Sequence, residues 1–434
     1  MDFYGACEFH QYAGISGCDY LQIHGGAYVL EGGTLNFAGS LSVNGTDGKS
    51  QFLQTGGTNS VSYVGLGSWG PFPISDADYF LGDGTLLTGS VWLGTRGGFT
   101  QNNGIMILTN LQINGFFYNR PRGDAIYGSR GYFLWNGVLS AASVYLNGKN
   151  ATFSQQGGVA QISGSISSGG IDGWAVIELN GGRLTCSNVT SFGSGADIFQ
   201  NGGSFVVTNN FAIGGYYGYD LNARFAQYHF SFGTLYASNI ELAADMIIGS
   251  STNVGRITNP GYFKMAGTLT SGDATEQLGR FILTSNATIN LGDGNARLSF
   301  AQSSAEVWNG AAVLTVTNWS GSTNGGVDDQ LKFGGSSSGL TTAQLRQIRF
   351  VNPAGFPPGA NPAKILSTGE VVPAPRPIFS FTRQGTNLVL SWTTNFFLQT
   401  ATNVSGPYED LMAAISPYTN NLSASPQRYF RVRQ

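Results

Sequence analysis

The residues best suited to acid–base chemistry in this sequence are aspartates in the segments between its predicted strands. They are Asp76, Asp78, Asp124, Asp172 and Asp220. Two carboxylates roughly 5–10 Å apart can cleave a glycosidic bond, one as the acid and one as the base or nucleophile. These segments differ in length and phase, however, and none carries the dense acidic cluster that a catalytic calcium ion requires. We therefore predict no catalytic residue, and a carbohydrate-active enzyme, a polysaccharide lyase or glycoside hydrolase, is the alternative interpretation.

Histidine and cysteine form no pattern that is typical of a metal site or of a nucleophile. His10, His24 and His229 do not share one position of the sequence repeat described below. Three cysteines are too few for a disulfide framework: Cys7 and Cys18 could pair, or all the thiols could be free. We expect no metal ion and no cofactor.

Composition limits the partners and the class of protein. The chain has 434 residues, of which 64 are Gly and only 10% are charged, with a formal net charge of −3. No run of Lys and Arg could neutralise a row of phosphates, so nucleic acid is not an expected partner. No stretch approaches the roughly 18 apolar residues of a membrane helix, and residues 1–4 do not begin a signal peptide. The 41% of hydrophobic residues are ample for a core.

The elements that must position any site are set by an internal repeat of the form aromatic-x-(Leu or Gln)-x-x-Gly. Seven aromatic copies run from Phe9/Gln11/Gly14 to Phe153/Gln155/Gly158, and later copies use Ile or decay, the last being Tyr262/Lys264/Gly267. Leu and Gln forms alternate through Gly203, and the basic period is about 20–24 residues. The repeated glycines are Gly33, Gly57, Gly84, Gly104, Gly137, Gly158, Gly182 and Gly203. In the Leu form a further Leu follows the Gly by two residues, as at Leu35 and, in the last copies, Leu235 and Leu269.

Short alternating runs punctuated by glycine at this period predict an all-β fold, a single-stranded parallel β-helix with one coil per repeat. Equivalent positions of successive coils then form columns, and the aromatic position becomes an interior stripe of stacked rings. The Gln column is Gln11, Gln54, Gln101, Gln155 and Gln200. These amides are either buried with their hydrogen bonds satisfied or placed at a corner that admits water; in both cases the role predicted for them is structural.

Insertions recur at one phase of the repeat, after a Gln-form unit. They are the most aromatic loops of the chain, and their recurrence predicts that they project from one side of the solenoid, two rungs apart. A row of exposed rings is typical of carbohydrate or partner recognition, although the rings could instead fold back on the wall of the helix. The candidate contact residues are Trp69, Phe72, Phe116, Phe117, Tyr118, Trp174, Tyr216, Tyr217 and Tyr219.

The last third of the chain changes character. We predict a β-helix domain over residues 1–316, a closing segment with one short helix beginning at Thr341 over residues 317–372, and a Pro-rich linker with a small, sandwich-like all-β module over residues 373–434. The first 300 residues resemble the autotransporter-associated β-strand repeat proteins secreted by environmental bacteria. The stretch from Asp328 to Gly334 is similar to the segment that closes such β-helices, and Leu390-Ser391-Trp392 belongs to a tail similar to a terminal module of large secreted proteins.

The resemblance implies an extracellular or cell-surface location and a solenoid architecture, and it implies no reaction. We therefore expect a structural or adhesive bacterial surface protein that does not span the membrane and whose partners are surface glycans or other copies of itself. Because Phe9/Gln11/Gly14 is already a full repeat unit, little chain precedes the first rung. The chain could be a fragment of a longer protein, residues 1–8 could form a minimal cap, or copies could stack head-to-tail into filaments.

Overall fold

A computed structural model describes residues 1–4, 8–45, 48–67, 76–114, 131–147, 151–169, 175–191, 196–214, 227–248, 256–376, 378–392, 397–411, 414–424 and 427–433. The chain divides into two compact units, Met1–Val372 and Pro373–Gln434. Of the described residues, 62% are in strands and 3% in helices. The first unit is a parallel β-solenoid with coils of about 23 residues, as the repeat predicts.

The solenoid is built from short strands in regular succession. In chain order they are β1 (Asp2–Phe3), β2 (Glu8–Gln11), β3 (Ile15–Cys18), β4 (Leu21–Ile23), β5 (Gly26–Leu30), β6 (Thr34–Val43), β7 (Ser50–Gln54), β8 (Thr58–Leu66), β9 (Ala77–Leu81), β10 (Thr85–Leu93), β11 (Gly97–Gln101), β12 (Ile105–Asn114), β13 (Gly131–Leu134), β14 (Val138–Asn147), β15 (Thr152–Gln155), β16 (Val159–Gly169), β17 (Ala175–Leu179), β18 (Arg183–Ser191), β19 (Ala196–Gln200), β20 (Ser204–Ile213), β21 (Gln227–Phe230), β22 (Thr234–Leu242), β23 (Asp245–Ile248), β24 (Arg256–Thr258), β25 (Tyr262–Met265), β26 (Thr268–Ser271), β27 (Thr275–Leu283), β28 (Ala287–Asn290), β29 (Arg297–Ala301), β30 (Leu314–Thr317), β31 (Gln330–Phe333), β32 (Ile348–Val351), β33 (Ala360–Ile365) and β34 (Val371–Pro373).

Two parallel sheets form the wall of the solenoid. From β5 to β23 the even-numbered strands belong to one sheet, here called sheet A, and the odd-numbered strands to the other, sheet B. Each strand pairs in parallel with the equivalent strand of the next coil, as β10 does with β12 and β11 with β13. One coil therefore makes one rung, stacked about 4.8 Å from the last.

The interior of the solenoid contains the predicted aromatic column. Phe52, Tyr79, Phe99, Tyr132 and Phe153 are fully buried on successive strands of sheet B. Neighbouring rings in this column have centroids 4.7–5.5 Å apart, close enough for ring-on-ring contact. Alternation along each strand thus sends one set of side chains inward and leaves the other set at the surface.

The final copy of the sequence motif is misplaced by the prediction. Tyr262 and Lys264 lie on a strand of sheet A, where Phe263 faces inward and pairs in register with Phe281. Leu269, expected in the sheet A column of Leu35 and Leu235, lies instead on β26 in sheet B beside Met246. The reason is an extra strand: β24 and β25 both pair with β22, so the order of strands in this coil differs from that of the earlier coils.

The repeated glycines make the turn after each sheet B strand. Gly158 has a φ of +66°, and a Cβ at this position would lie 2.6 Å from the carbonyl oxygen of Gly137, its equivalent one rung earlier. That carbonyl accepts a hydrogen bond of 2.9 Å from the amide of Val159. Glycine is therefore required both by the left-handed backbone and by the closeness of the stacked turns.

A closing segment covers the far end of the solenoid. Thr341 caps the short helix α1 (Thr342–Leu345) through a capping box with Gln344, as predicted. The buried carboxylate of Asp329 accepts hydrogen bonds of 2.9 Å from the amide of Ala296 and of 2.8 Å from that of Ser320. In sheet B, β33 runs antiparallel along β32, which ends the parallel stacking.

The C-terminal unit holds two small antiparallel sheets. One contains β35 (Phe379–Gln384), β36 (Asn387–Trp392) and β39 (Tyr418–Asn421), and the other contains β37 (Phe397–Ala401), β38 (Glu409–Asp410) and β40 (Tyr429–Arg433). Leu390, Trp392 and Leu398 form the buried centre of this unit.

Candidate functional site

The strands that flank the four predicted aromatic loops are among the described residues. Segments 68–75, 115–130, 170–174 and 215–226 follow β8, β12, β16 and β20, which lie on alternate rungs of sheet A, and each segment leads into sheet B. Their attachment points are therefore about 10 Å apart along one edge. The nine aromatic candidates themselves, Trp69, Phe72, Phe116, Phe117, Tyr118, Trp174, Tyr216, Tyr217 and Tyr219, lie outside the described residues.

Of the five predicted loop carboxylates, two lie among the described residues. Asp76 lies at the end of one loop segment, 3.9 Å from Arg96, and Asp78 lies on β9. Asp124, Asp172 and Asp220 lie outside the described residues.

The histidines occupy separate environments. His10 contacts Glu8 and Glu31 in the first rung, His24 lies 3.1 Å from Gln22 Oε1, and His229 stacks on Phe199 with ring centroids 4.8 Å apart. Within the described ranges, no three His, Cys, Asp or Glu side chains are grouped so that they could hold a metal ion. Cys18 has a free thiol that donates to the carbonyl of Tyr20, while Cys7 lies outside the described residues.

The Gln column is buried and hydrogen-bonded, which is the first of the two interpretations drawn from the sequence. Gln101 is fully buried, and its Nε2 donates to the carbonyl oxygens of Gly104 at 3.1 Å and Val138 at 2.9 Å. Its Oε1 accepts a hydrogen bond of 2.6 Å from the hydroxyl of Tyr132 on the following rung. The same Tyr-to-Gln bond joins Tyr28 to Gln11, Tyr79 to Gln54 and Tyr228 to Gln200.

One member of the column lacks this partner. Gln155 is followed on the next rung by Ile177 instead of tyrosine, and its buried Oε1 accepts no hydrogen bond from any described residue. The rule that Tyr belongs to the Leu-form unit and Phe to the Gln-form unit is visible in the sequence, but the hydrogen bond that explains it is seen only when the rungs are stacked.

The described surface also contains a groove that the sequence analysis missed. It has a volume of about 420 Å³ and lies on the outer face of sheet A, beside the corner from which segment 215–226 emerges. Its lining includes Asn188, Asn210, Ala212, Glu241, Ala243 and Lys264. These residues lie on or directly after four strands, β18, β20, β22 and β25, which are joined by three successive pairings, so only the stacking of rungs brings them together.

An ion pair lies in this groove. Lys264 Nζ is 2.9 Å from Glu241 Oε1, which also accepts a hydrogen bond of 2.7 Å from the hydroxyl of Tyr262. Partial burial alone would raise the pKa of Glu241, but the hydrogen bonds from Tyr262 and Lys264 outweigh it and lower that pKa. The hydrogen bond to Glu241 raises the pKa of Lys264. Both groups are therefore charged at neutral pH, and Lys264 is poorly suited to act as a base.

The sequence signal for the groove was Lys264, which stands where the repeat motif has Leu or Gln. The motif match is an imitation on a sheet A strand, where Phe263 faces inward and Lys264 faces outward.

Comparison with known proteins gives no relative: no family model, no curated protein and no solved structure matches the chain. Among the helices in the described ranges, none has the length and apolar character needed to span a membrane.

Proposed function

We propose that this chain is a structural and adhesive protein of the bacterial cell surface or extracellular space, related to the autotransporter-associated repeat proteins, and that its solenoid presents a row of loops to surface glycans. The observation that supports this proposal is that the strands preceding the four aromatic segments, β8, β12, β16 and β20, lie on alternate rungs of sheet A. A repeating polymer can contact several such loops at once, and each further contact is intramolecular, so weak individual contacts combine into firm binding.

The scaffold suits this role because its geometry is fixed by stacking. The buried ring column, the Tyr-to-Gln bonds and the close-packed glycine turns hold neighbouring rungs in register. Loops anchored on such a frame keep a constant spacing, whereas loops on independent domains would not.

Head-to-tail self-association is the alternative to glycan adhesion. The first rung exposes apolar side chains, with Phe9 40%, Tyr12 67% and Ile15 85% exposed. At the other end β33 runs antiparallel to β32, so continued parallel strand pairing between head and tail is disfavoured. Adhesion to glycans is therefore the form that we propose, and filament growth would require β33 to move.

The test is a panel of polysaccharides, assayed for binding and for new reducing or unsaturated ends. The variant Phe116→Ser/Phe117→Ser/Tyr118→Ser removes three loop rings, and Phe381→Ser, which changes an exposed ring of the C-terminal unit, is the matched control. We expect the native chain and the control to bind without releasing products and the loop variant to bind less. Product release would favour the enzyme alternative, and absence of binding by the native chain would overturn the adhesive role.

A further inference from the structure

We propose that the groove beside Glu241 and Lys264 is a binding site for a neutral, hydroxyl-rich oligosaccharide. The proposal takes its ligand class from the adhesive function above, but the site is built from described residues, which lie on sheet A strands or directly after them, and includes none of the aromatic loop residues.

The groove exists because small residues interrupt an outward-facing column of large ones. The column is in register from Trp92 through Gln112 and Tyr145, and then changes to Ser167, Thr190 and Ala212 before Glu241 and Lys264. Ala243 and Ala266 extend the small-residue floor. The resulting volume of about 420 Å³ falls within the roughly 300–1,000 Å³ of small-molecule sites.

Two amide groups on the wall have a fixed orientation. Asn188 Oδ1 accepts from Asn209 Nδ2 at 3.0 Å, and Asn210 Oδ1 accepts from Asn239 Nδ2 at 3.1 Å. Because both oxygens are used by neighbouring rungs, the Nδ2 groups of Asn188 and Asn210 are held as donors, and within the described chain neither donates a hydrogen bond. Preoriented amide donors suit the oxygen atoms of sugar hydroxyls.

The ion pair of Glu241 and Lys264 adds a hydrogen-bond acceptor and further donors to the amide donors of Asn188 and Asn210. Lys264 and Tyr262 both bond to Glu241 Oε1, which leaves Oε2 as an acceptor and leaves Lys264 with further N–H donors. The side chains of Glu241 and Lys264 are 37% and 36% exposed, respectively, so both are accessible from the groove. A hydroxyl both donates and accepts, and the groove therefore offers partners for each of its roles.

The charge balance favours a neutral ligand. Glu241 and Lys264 compensate each other, and Glu241 is the single carboxylate among the described lining residues. The Lys264 ammonium is already paired with Glu241, so a uronic acid bound here would compete with Glu241 for that ammonium and be repelled by its carboxylate, whereas a neutral sugar would set its hydroxyls against the polar wall and its C–H face against Ala212 and Ala243.

The experiment measures binding of cellohexaose, xylohexaose, mannohexaose and a hexamer of galacturonate to the full chain by calorimetry. Ala212→Trp fills the groove, and Ser42→Trp places the same ring in the same outward column, far from the groove. We expect at least one neutral hexamer to bind the native chain and the Ser42→Trp control, to lose detectable binding with Ala212→Trp, and to bind roughly tenfold more weakly with Glu241→Gln, which preserves side-chain volume.

Three results would overturn the proposal: no binding of any neutral hexamer, equal or tighter binding of the galacturonate hexamer, or unchanged binding by Ala212→Trp. If Ala212→Trp does not fold, Glu241→Gln decides the outcome. The variant with three loop rings removed separates this proposal from the adhesive function, because it should lose adhesion to polymers while retaining the affinity of the groove for a hexamer.

Discussion

The Tyr132 hydroxyl donates to Gln101 on the preceding rung, and burial raises the pKa of Tyr132 well above its ordinary value. The phenol is therefore protonated, and available as a hydrogen-bond donor, at neutral pH. The same burial raises the pKa of Tyr28 to about 12. Each pair satisfies a buried hydroxyl and a buried amide oxygen at once, and removing one partner deprives the other atom of this bond.

The contribution of this bond to stability can be tested by making the same substitution at Gln101, which has the bond, and at Gln155, which lacks it. Gln101→Leu leaves the buried Tyr132 hydroxyl without an acceptor, whereas Gln155→Leu removes an amide whose Oε1 already has no donor. We expect Gln101→Leu to lower the free energy of unfolding by about 1–3 kcal/mol more than Gln155→Leu, measured by chemical denaturation. Equal losses would show that the Tyr-to-Gln bond does not stabilise the stack.

A second prediction concerns the glycines in the turns that follow the sheet B strands. Gly158→Ala places a Cβ on a left-handed backbone and 2.6 Å from the Gly137 oxygen, so we expect a loss of more than about 1 kcal/mol in the free energy of unfolding. Gly310→Ala is the control, since no atom lies within 4 Å of the Cβ position and its φ is not positive. Thermal unfolding of both variants measures the difference, and a neutral Gly158→Ala would contradict the argument.

At the scale of elements, the ring column moves from one sheet to the other where its tyrosines and phenylalanines are replaced by Ile177 and Ile198. On the rung of Ile198, sheet A supplies Phe205 and Phe211 instead, whose ring centroids are 5.6 Å apart. Phe211 then packs edge-on against Tyr228, with centroids 5.0 Å apart, and the ring contacts continue. The volume that β17 and β19 lack is thus filled by β20.

We expect this exchange of volume to be energetically coupled. Phe211→Ile should destabilise by about 1–2 kcal/mol through a cavity, and Ile198→Phe should destabilise through overpacking. The double variant should be more stable than the sum of the two effects predicts, by at least about 0.5 kcal/mol. A double-mutant cycle of denaturation free energies measures the coupling, and strict additivity would mean that the two positions do not share space.

Much of this architecture could be predicted from sequence because a solenoid repeats its local rules. The glycine turns, the inward aromatic position from Tyr28 to Phe153 and the corner that bears the loops all follow from period and phase. The placement of Tyr262 could not be predicted from sequence, because a sheet A strand with Tyr-x-Lys imitates the sheet B motif. The groove could not be predicted either, since Asn188 and Lys264 are brought together only by the register of β18, β20, β22 and β25.

At the scale of the whole molecule, the two ends of the solenoid differ. The far end is covered by the closing segment, where Asp329 and Gln344 bind backbone groups of earlier coils. The first rung instead has an exposed Phe9 and is joined to the second by contacts that include His10, whose Nδ1 lies 2.8 Å from Glu31 Oε1. We expect unfolding to begin at the first rung.

The stability of that rung should depend on pH. The hydrogen bond to Glu31 raises the pKa of His10 above its ordinary value of 6.5. Protonated His10 therefore stabilises the rung fully below pH 6.5, and this stabilisation is lost as the pH rises through the raised pKa. Hydrogen exchange of Glu8–Gln11, corrected for its intrinsic pH dependence, should accelerate over that interval. The variant His10→Gln should show no such acceleration, and the same pH dependence in both proteins would refute the assignment.

The bond from each tyrosine to the glutamine one rung earlier also bears on how such a chain can change length in evolution. Duplicating one coil would place two glutamines or two tyrosines in succession and leave a buried group without its complement, whereas duplicating two coils copies donor and acceptor together. Lineages of this protein should therefore gain and lose coils in pairs. Positions such as Ile177, where the tyrosine has already been replaced, are where a single coil could be inserted or deleted with least penalty.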